Sequence, residues 1–330
     1  MEYSSSSAWF KIVVNLRLRS YLTGVLSLLT VSCSPLGGGS RSSEVILFTA
    51  FNGGKYQIST IWPDGSHLEP LLNSQPDKSY VFASGNSLKS VLVVLVNEKN
   101  PQGEAEDHLY IHRRSSGEWK RLPVGDGYEA SGVISPDDSK IVFMLAPKEP
   151  FGKLRLWTAN LETGQVKRLT GADPKEENEW DQYPAWSPDG QEIAFIRLKR
   201  TDKGLSAILM RMPPAGGQPS VILGADENVG GFCYAPDGKH LAVLTRKGLE
   251  IIDLPELKRT VIATWDVFSN HQFRAGGIKW SRTENKIALA LFDKQKNQSE
   301  IWTLSTNGED AKSIYSQEGE VLIISSFIQQ

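Results

Sequence analysis

Cysteine is almost missing from this chain. Cys33 and Cys233 are the two among 330 residues, too few for a disulfide framework. Neither sign of charge dominates: 36 basic side chains stand against 38 acidic ones, a formal net charge of −2. Such balance leaves no electrostatic footprint for nucleic acid. The chain has no Gly-X-Ser-X-Gly elbow, no Gly-rich phosphate loop, no His-Glu-X-X-His and no Cys-X-X-Cys. Their absence removes the motif-level signals for serine hydrolase, nucleotide-binding, zinc-protease and dithiol chemistry. The apolar run from Tyr21 to Val31 is shorter than the ~20 residues that cross a bilayer as a helix.

What the chain has in quantity is one hairpin, rewritten. Tyr183-Pro184-Ala185-Trp186 leads into the turn Ser187-Pro188-Asp189-Gly190 and out through Ile193-Ala194-Phe195-Ile196. Pro188 presets φ, Gly190 tolerates positive φ, and the Asp side chain bonds its own turn backbone. The flanks alternate with strand period. The pattern recurs at Ser135-Pro136-Asp137-Asp138, Ala235-Pro236-Asp237-Gly238 and Ser281-Arg282-Thr283-Glu284, with a decayed copy at Ser84-Gly85-Asn86-Ser87. Successive copies from Ser84 onward lie 51, 52, 48 and 46 residues apart. One step further back is Ser40, which Val45-Ile46-Leu47-Phe48 follows.

Each copy continues into a second hairpin. In the third unit Leu154-Arg155-Leu156-Trp157 turns at Glu162-Thr163-Gly164 and returns through Lys167-Arg168-Leu169-Thr170. Six units of four short strands result. Four-stranded units recurring every 40–50 residues or so predict an all-β fold, a six-bladed β-propeller of four-stranded antiparallel blades. The first unit lacks its leading strand, while residues 320–327 read as a strand with no partner. The C-terminal strand is therefore expected to become the innermost strand of the first blade and close the ring, which leaves only short edges.

Ser187-Pro188-Asp189-Gly190 with Ile193-Ala194-Phe195, and Leu156-Trp157-Thr158 closing on Lys167-Arg168-Leu169-Thr170, resemble the Pro-Asp-type, WD-like repeat of TolB-like propellers. The resemblance covers roughly residues 44–320 and is strongest in the third and fourth units. It implies a cell-envelope protein. The α/β domain that precedes the propeller in TolB has no room before residue 44, so the partner binding that belongs to that domain is not expected.

Residues 1–33 read as a separate segment. Lys11, Arg17 and Arg19 precede the apolar run, and Ser32-Cys33 end it, the layout of an export signal. Leu29-Thr30-Val31-Ser32-Cys33 resembles a bacterial lipobox, with Thr30 where Leu is usual. The resemblance implies lipidation of Cys33 and a membrane held through an N-terminal lipid anchor. An ordinary cleaved signal and an uncleaved anchor are the other readings of the same run. Residues 34–43, rich in Gly and Ser, form a flexible tether, and 44–330 the propeller. Ser34 after Cys33 implies outer-membrane sorting, facing the periplasm, in a Gram-negative host.

His108 and His112 share a strand face yet stand ~13 Å apart at about 3.3 Å per residue, too far for one metal; they read as surface strand and turn residues. Asp137, Asp189 and Asp237 read as turn caps, and Cys233 as an inert core thiol. Residues 173–182 gather acidic side chains around Trp180, where an outer strand crosses to the next inner strand. The candidate partner-binding residues are Glu176, Glu177, Glu179, Trp180 and Asp181, with Glu129, Glu227 and His271 around the rim of that mouth. An aromatic residue among carboxylates suits a basic partner segment or a sugar. The loops 98–107, 147–153 and 200–203 are expected on the opposite side.

The reading is a non-catalytic, monomeric scaffold for a protein partner in the envelope, with no cofactor, metal or nucleic acid. The competing reading is a ligand- or carbohydrate-binding, hydrolytic or lyase propeller that uses the central channel. That version needs convergent carboxylates or histidines. The residues six before each turn are Lys78, Glu129, Asp181, Val229 and Ala275, which is no repeated ring.

Overall fold

The recurring turn is fastened by its own side chains. Ser187 Oγ donates to Asp189 Oδ1 at 2.6 Å, and the Gln191 N–H donates to the same oxygen at 3.0 Å. Ser135 and Asp137 repeat the first contact at 2.6 Å, and the Ser139 N–H donates to Asp137 at 3.1 Å. These are the caps expected of the Pro-Asp residues. Gly190 takes φ +70°; in the preceding unit its place is held by Asp138 at φ +57°. Asp tolerates that region better than most residues, and Asn86 of the neighbouring unit donates to Asp138 Oδ1 at 2.7 Å.

The computed structural model describes residues 43–330 except 53–54, 126, 148–152, 172–177, 203, 269–270 and 320–321. Residues 1–42, which hold the expected export signal, Cys33 and nearly all of the expected tether, lie outside the described residues. The strands are β1 (Glu44–Asn52), β2 (Lys55–Ile61) and β3 (Glu69–Asn73) in the first blade. β4 (Lys78–Gly85), β5 (Val91–Lys99), β6 (Ala105–Arg113) and β7 (Glu118–Arg121) form the second. β8 (Gly127–Ile134), β9 (Lys140–Pro147), β10 (Arg155–Asn160) and β11 (Val166–Arg168) form the third. β12 (Glu179–Trp186), β13 (Ile193–Thr201), β14 (Gly204–Met212) and β15 (Ser220–Leu223) form the fourth. β16 (Gly231–Tyr234), β17 (His240–Thr245), β18 (Gly248–Asp253) and β19 (Arg259–Ala263) form the fifth. β20 (His271–Trp280), β21 (Lys286–Asp293), β22 (Gln298–Ser305) and β23 (Lys312–Glu318) form the sixth, and β24 (Leu322–Gln329) ends the chain. The result is an all-β, six-bladed propeller of four-stranded antiparallel sheets.

The ring closes as expected. The first blade has the order β24-β1-β2-β3, with β24 innermost, in a register from Glu44↔Gln329 to Ala50↔Leu322. Glu44 of β1 also reaches the sixth blade. Its Oε2 accepts from Ser281 Oγ at 2.7 Å and from the Arg282 N–H at 2.9 Å. The turn Ser281-Arg282-Thr283-Glu284 has no Pro-Asp of its own, and the first blade supplies the missing carboxylate.

The core lies between blades. Ala194 and Ile196 of β13 pack with Phe232, Leu241 and Val243 of the fifth blade. Ile193 and Phe195 of the same strand pack with Val142, Met144 and Leu156 of the third. Period-two alternation thus feeds both blade faces from one continuous apolar run. The decayed copy in the second unit sits two residues later than the sequence pattern suggests. β4 continues through Gly85, which pairs with Leu92, so the turn begins at Asn86.

Candidate functional site

Inner strands enter at one mouth of the ring from the crossover loops and leave at the other through the Ser-Pro-Asp turns. In a four-stranded antiparallel blade every second connection emerges at the same end. The loops joining second to third strands therefore stand beside the crossovers, and the expectation that they decorate the opposite side is corrected. The Arg200 N–H donates to the Asn178 carbonyl at 3.0 Å, and the Gly319 N–H to the Asn297 carbonyl at 2.8 Å. Lys153 Nζ and the Arg200 guanidinium carbon lie 5.2 Å and 5.8 Å from the centre of the Trp180 ring, within cation–π range. Trp180 is half-buried.

Beneath this ring the same strand turns its acids inward. Asp181 is fully buried. Its two oxygens receive Arg197 Nε at 2.7 Å and Arg197 Nη2 at 3.2 Å, with Arg155 of the preceding blade at 3.5 Å. Arg197 also meets Glu179 at 2.9 Å, and Lys199 meets Glu179 at 3.1 Å. Arg197 stands directly opposite Asp181 in the β12–β13 register, which allows the bidentate fork.

Similar anchors recur around the mouth. Glu129, 2% exposed, accepts the Leu109 N–H of the preceding blade at 2.7 Å and lies 3.1 Å from His108 Nδ1. Glu227 is gripped by Arg259, whose Nη2 lies 2.8 Å from it and whose Nε lies 2.9 Å from buried Glu250. The Arg259 hydrogen bond holds the Glu227 carboxyl below the ordinary range, and hydrogen bonds to Glu227 and Glu250 raise Arg259. His271 opens β20. Its Nε2 lies 3.3 Å from Glu300 Oε2, with the ring edge-on to Trp302 at 5.3 Å. His108 and His112 are buried, not surface residues. Glu129 holds the first, and Trp119 stacks on the second at 4.1 Å; burial lowers the His112 pKa.

The structure brings Glu179 and Asp181 together on Arg197 and leaves Glu129, Glu227 and His271 on separate partners. Among the described residues no group of three or more His, Cys, Asp or Glu side chains is placed to hold a metal. Glu176 and Glu177 lie outside the described residues. The residues that sequence reasoning passed over are Arg155, Arg197, Arg259, Glu250 and Glu300. Each is a charge inside or beside an apolar strand run, a signal present in the sequence, but Arg155, Arg197, Arg259 and Glu300 have partners 16–32 residues away in the chain, beyond hairpin counting, and Glu250 shares Arg259 with Glu227.

No protein-family model matches the chain, and no curated protein matches it by sequence. Solved structures share its architecture. TolB from Acinetobacter baumannii superposes with a TM-score of 0.64 at 17% identity, over 87% of this chain and 67% of that one. A putative TolB from Agrobacterium tumefaciens gives 0.60 at 14%, over 84% and 91%. Oligogalacturonate lyase from Vibrio parahaemolyticus gives 0.52 at 11%, over 71% and 68%. At such identities the likeness is one of fold: this chain is built as TolB-like propellers are built.

Proposed function

We propose that the protein is a non-catalytic scaffold of the bacterial cell envelope that takes a protein partner at the crossover mouth. The observation that supports this reading most is what happens to the carboxylates there. Glu179, Asp181 and Glu227 are each paired with an arginine or lysine, and Glu129 accepts the Leu109 N–H of the preceding blade and lies beside His108. A hydrolytic or lyase site needs groups free to exchange protons with a substrate; these are spent on holding the rim rigid. Above them Trp180, backed by Lys153 and Arg200, is a preorganised aromatic anchor of the kind that dominates interfaces. Glu176, Glu177 and Trp180 are proposed as the contact surface, with Glu227 on its rim. Glu129, Glu179, Asp181 and His271 set its shape from below. The basic and apolar leader ending at Cys33 supports export with a lipid anchor, in a Gram-negative host at the outer membrane.

The test is crosslinking in cells followed by pulldown of the wild type and of a Trp180→Ala, Glu177→Lys variant with an unchanged melting curve. A partner captured by the wild type and lost by the variant supports the mouth as its site. An unchanged set of partners removes the mouth. No protein partner at all transfers the weight to a ligand-binding or lyase reading, which the likeness to an oligogalacturonate lyase fold keeps in view.

A further inference from the structure

The turns between third and fourth strands emerge at the same mouth as the Ser-Pro-Asp loops, and four of them close on the preceding blade. Gly65, Gly164, Gly216 and Gly308 lie against Ile314, Pro123, Leu169 and Ile262, so that a side-chain carbon on any of them would meet that neighbour within 4 Å. Gly117, in the corresponding turn of the second blade, has nothing within that distance. The seam between first and second blades is thus open at the turn mouth, and a cavity of about 460 Å³ lies there, within the size range of small-molecule sites. Val45, Trp62, His67 and Glu69 line it from the first blade, Lys89 and Arg114 from the second.

The two cations of this cavity have no carboxylate of their own: among the described residues neither Lys89 nor Arg114 makes an ion pair. Arg114 is held at its root. Its backbone N–H donates to the Ser90 carbonyl at 2.9 Å and its Nε to the Leu88 carbonyl at 3.1 Å, which leaves both terminal nitrogens as an unpaired fork of the shape that grips phosphate oxygens. His67 stands at φ +53°, a region that non-glycine residues occupy chiefly at turns and ligand clamps. Its ring stacks on Trp62 at 4.1 Å and 18°. Its Nδ1 lies 2.9 Å from Ser66 Oγ, whose own proton goes to Asp64 at 2.6 Å. Nδ1 therefore carries the hydrogen, and Nε2 has no partner among the described residues. Leu68, next in the chain, is 51% exposed. Position matters as much as chemistry. β1 enters the ring at this mouth, where Glu44 holds the Ser281 turn. Cys33 lies eleven residues before Glu44, a reach of about 40 Å at most.

We propose that this cavity takes the headgroup of an anionic phospholipid, so that the turn mouth rests on the membrane. Arg114 and Lys89 hold the phosphodiester, the Trp62–His67 stack lies at the interface, and Leu68 meets the apolar edge of the bilayer. Two cations against the one carboxylate of Glu69 leave a single positive charge, which matches a phosphodiester monoanion and not a phosphate dianion. Glu69 is then an acceptor for a headgroup hydroxyl, as glycerol supplies. The orientation rests on the lipid-anchor reading of Cys33, because one lipid chain and one basic site together hold a protein where either alone does so weakly. It also turns the crossover mouth away from the bilayer, towards a partner.

The test is the melting temperature of the full chain during titration with dihexanoylphosphatidylglycerol below its micellar concentration, at constant ionic strength. The wild type is expected to show a saturable rise. Lys89→Ala with Arg114→Ala, both exposed, is expected to melt as the wild type without lipid and to raise the half-saturating concentration about tenfold to thirtyfold. Arg114→Lys keeps the charge, loses the fork and is expected to raise it about threefold. The proposal is overturned if the wild type gives no saturable rise, if the double variant keeps it, or if inorganic phosphate or dihexanoylphosphatidylcholine matches it. In cells, benzoylphenylalanine in place of Leu68 is expected to crosslink to phospholipid, and in place of Leu205, exposed beside the crossover mouth, it is not. No adduct at Leu68, or equal adducts at both, removes the lipid as occupant. The titration does not need the anchor: Cys33→Ser is expected to leave it unchanged while releasing the protein from the membrane fraction, so loss of the anchor and loss of the site are read separately.

Discussion

The two mouths of the ring are made by different physics. At the turn mouth the Pro-Asp loops are fastened by contacts two residues apart, such as Ser187 to Asp189 and Ser135 to Asp137. At the crossover mouth the anchors join residues 16–32 apart in sequence, such as Arg197 with Asp181 and Arg259 with Glu227, and several cross from blade to blade. A local cap is cheap in chain entropy and repeats wherever its tetrapeptide repeats. A buried ion pair has to be assembled by the fold itself, and its strength depends on both partners being present. The turn mouth is thus a set of near-identical parts, and the crossover mouth is where the blades become individuals.

The largest expected effect tests the crossover side of this contrast. Arg197→Met leaves Asp181 fully buried with only the longer Arg155 contact, and takes the nearest cation from Glu179. The loss is expected to be ~3–5 kcal/mol in denaturant unfolding, the range for an orphaned buried charge. Adding Asp181→Leu to Arg197→Met should recover most of it, since an apolar pair of similar volume avoids the desolvation penalty. If Arg197→Met unfolds like the wild type, the mouth is not held by this network.

The seam between first and sixth blades joins the two regimes, because there a long-range carboxylate does a local turn's work. Glu44→Ala removes the acceptor of the Ser281 hydroxyl and the Arg282 N–H. The expected loss is ~1–3 kcal/mol, that of leaving donors unsatisfied. Hydrogen exchange should speed in the Ser281 turn and leave the Ser187 turn unchanged; equal speeding of both turns would dissolve the distinction.

That division also explains what could be read in advance. The blade count, the alternating strands and the closing strand were legible, because each depends on a short motif or on period two. The inner-strand partners were not. Counting outward from Trp186↔Ile193 sets Gln182 opposite Arg197. The chain instead inserts one residue at Tyr183–Pro184, with Tyr183 at φ +52°, and Asp181 takes the place. β4, β8 and β24 slip similarly. A one-residue slip reverses which side chains face inward, so carboxylates that read as a displayed acidic rim, Glu179 and Asp181, are in the structure the buried half of an ion-pair network. His108 went unrecognised for a related reason: its burial is set by Glu129 of the next blade.

The smallest expected effect is at the turn mouth and is best seen as a function of pH. Asp137 is held at about 2, below its ordinary 3.8, chiefly by the Ser135 hydroxyl and then by Ser139. A carboxyl with a folded pKa below its unfolded one stabilises the fold above the unfolded value, and that contribution disappears as pH falls from about 4 towards 2. Asp137→Asn keeps an acceptor oxygen but cannot titrate. At pH 7 it should lose no more than about 0.5–1 kcal/mol, since the turn is exposed and its hydrogen bonds compete with water. Between pH 4 and pH 2 its melting temperature should fall less steeply than that of the wild type. The same substitution at Asp189, another carboxyl lowered chiefly by its turn serine, should give a curve of the same shape, because the two turns are the same part used twice. Divergent curves would mean that even the repeated turns are tuned by their neighbours, as the Asn86 contact to Asp138 already is for one of them.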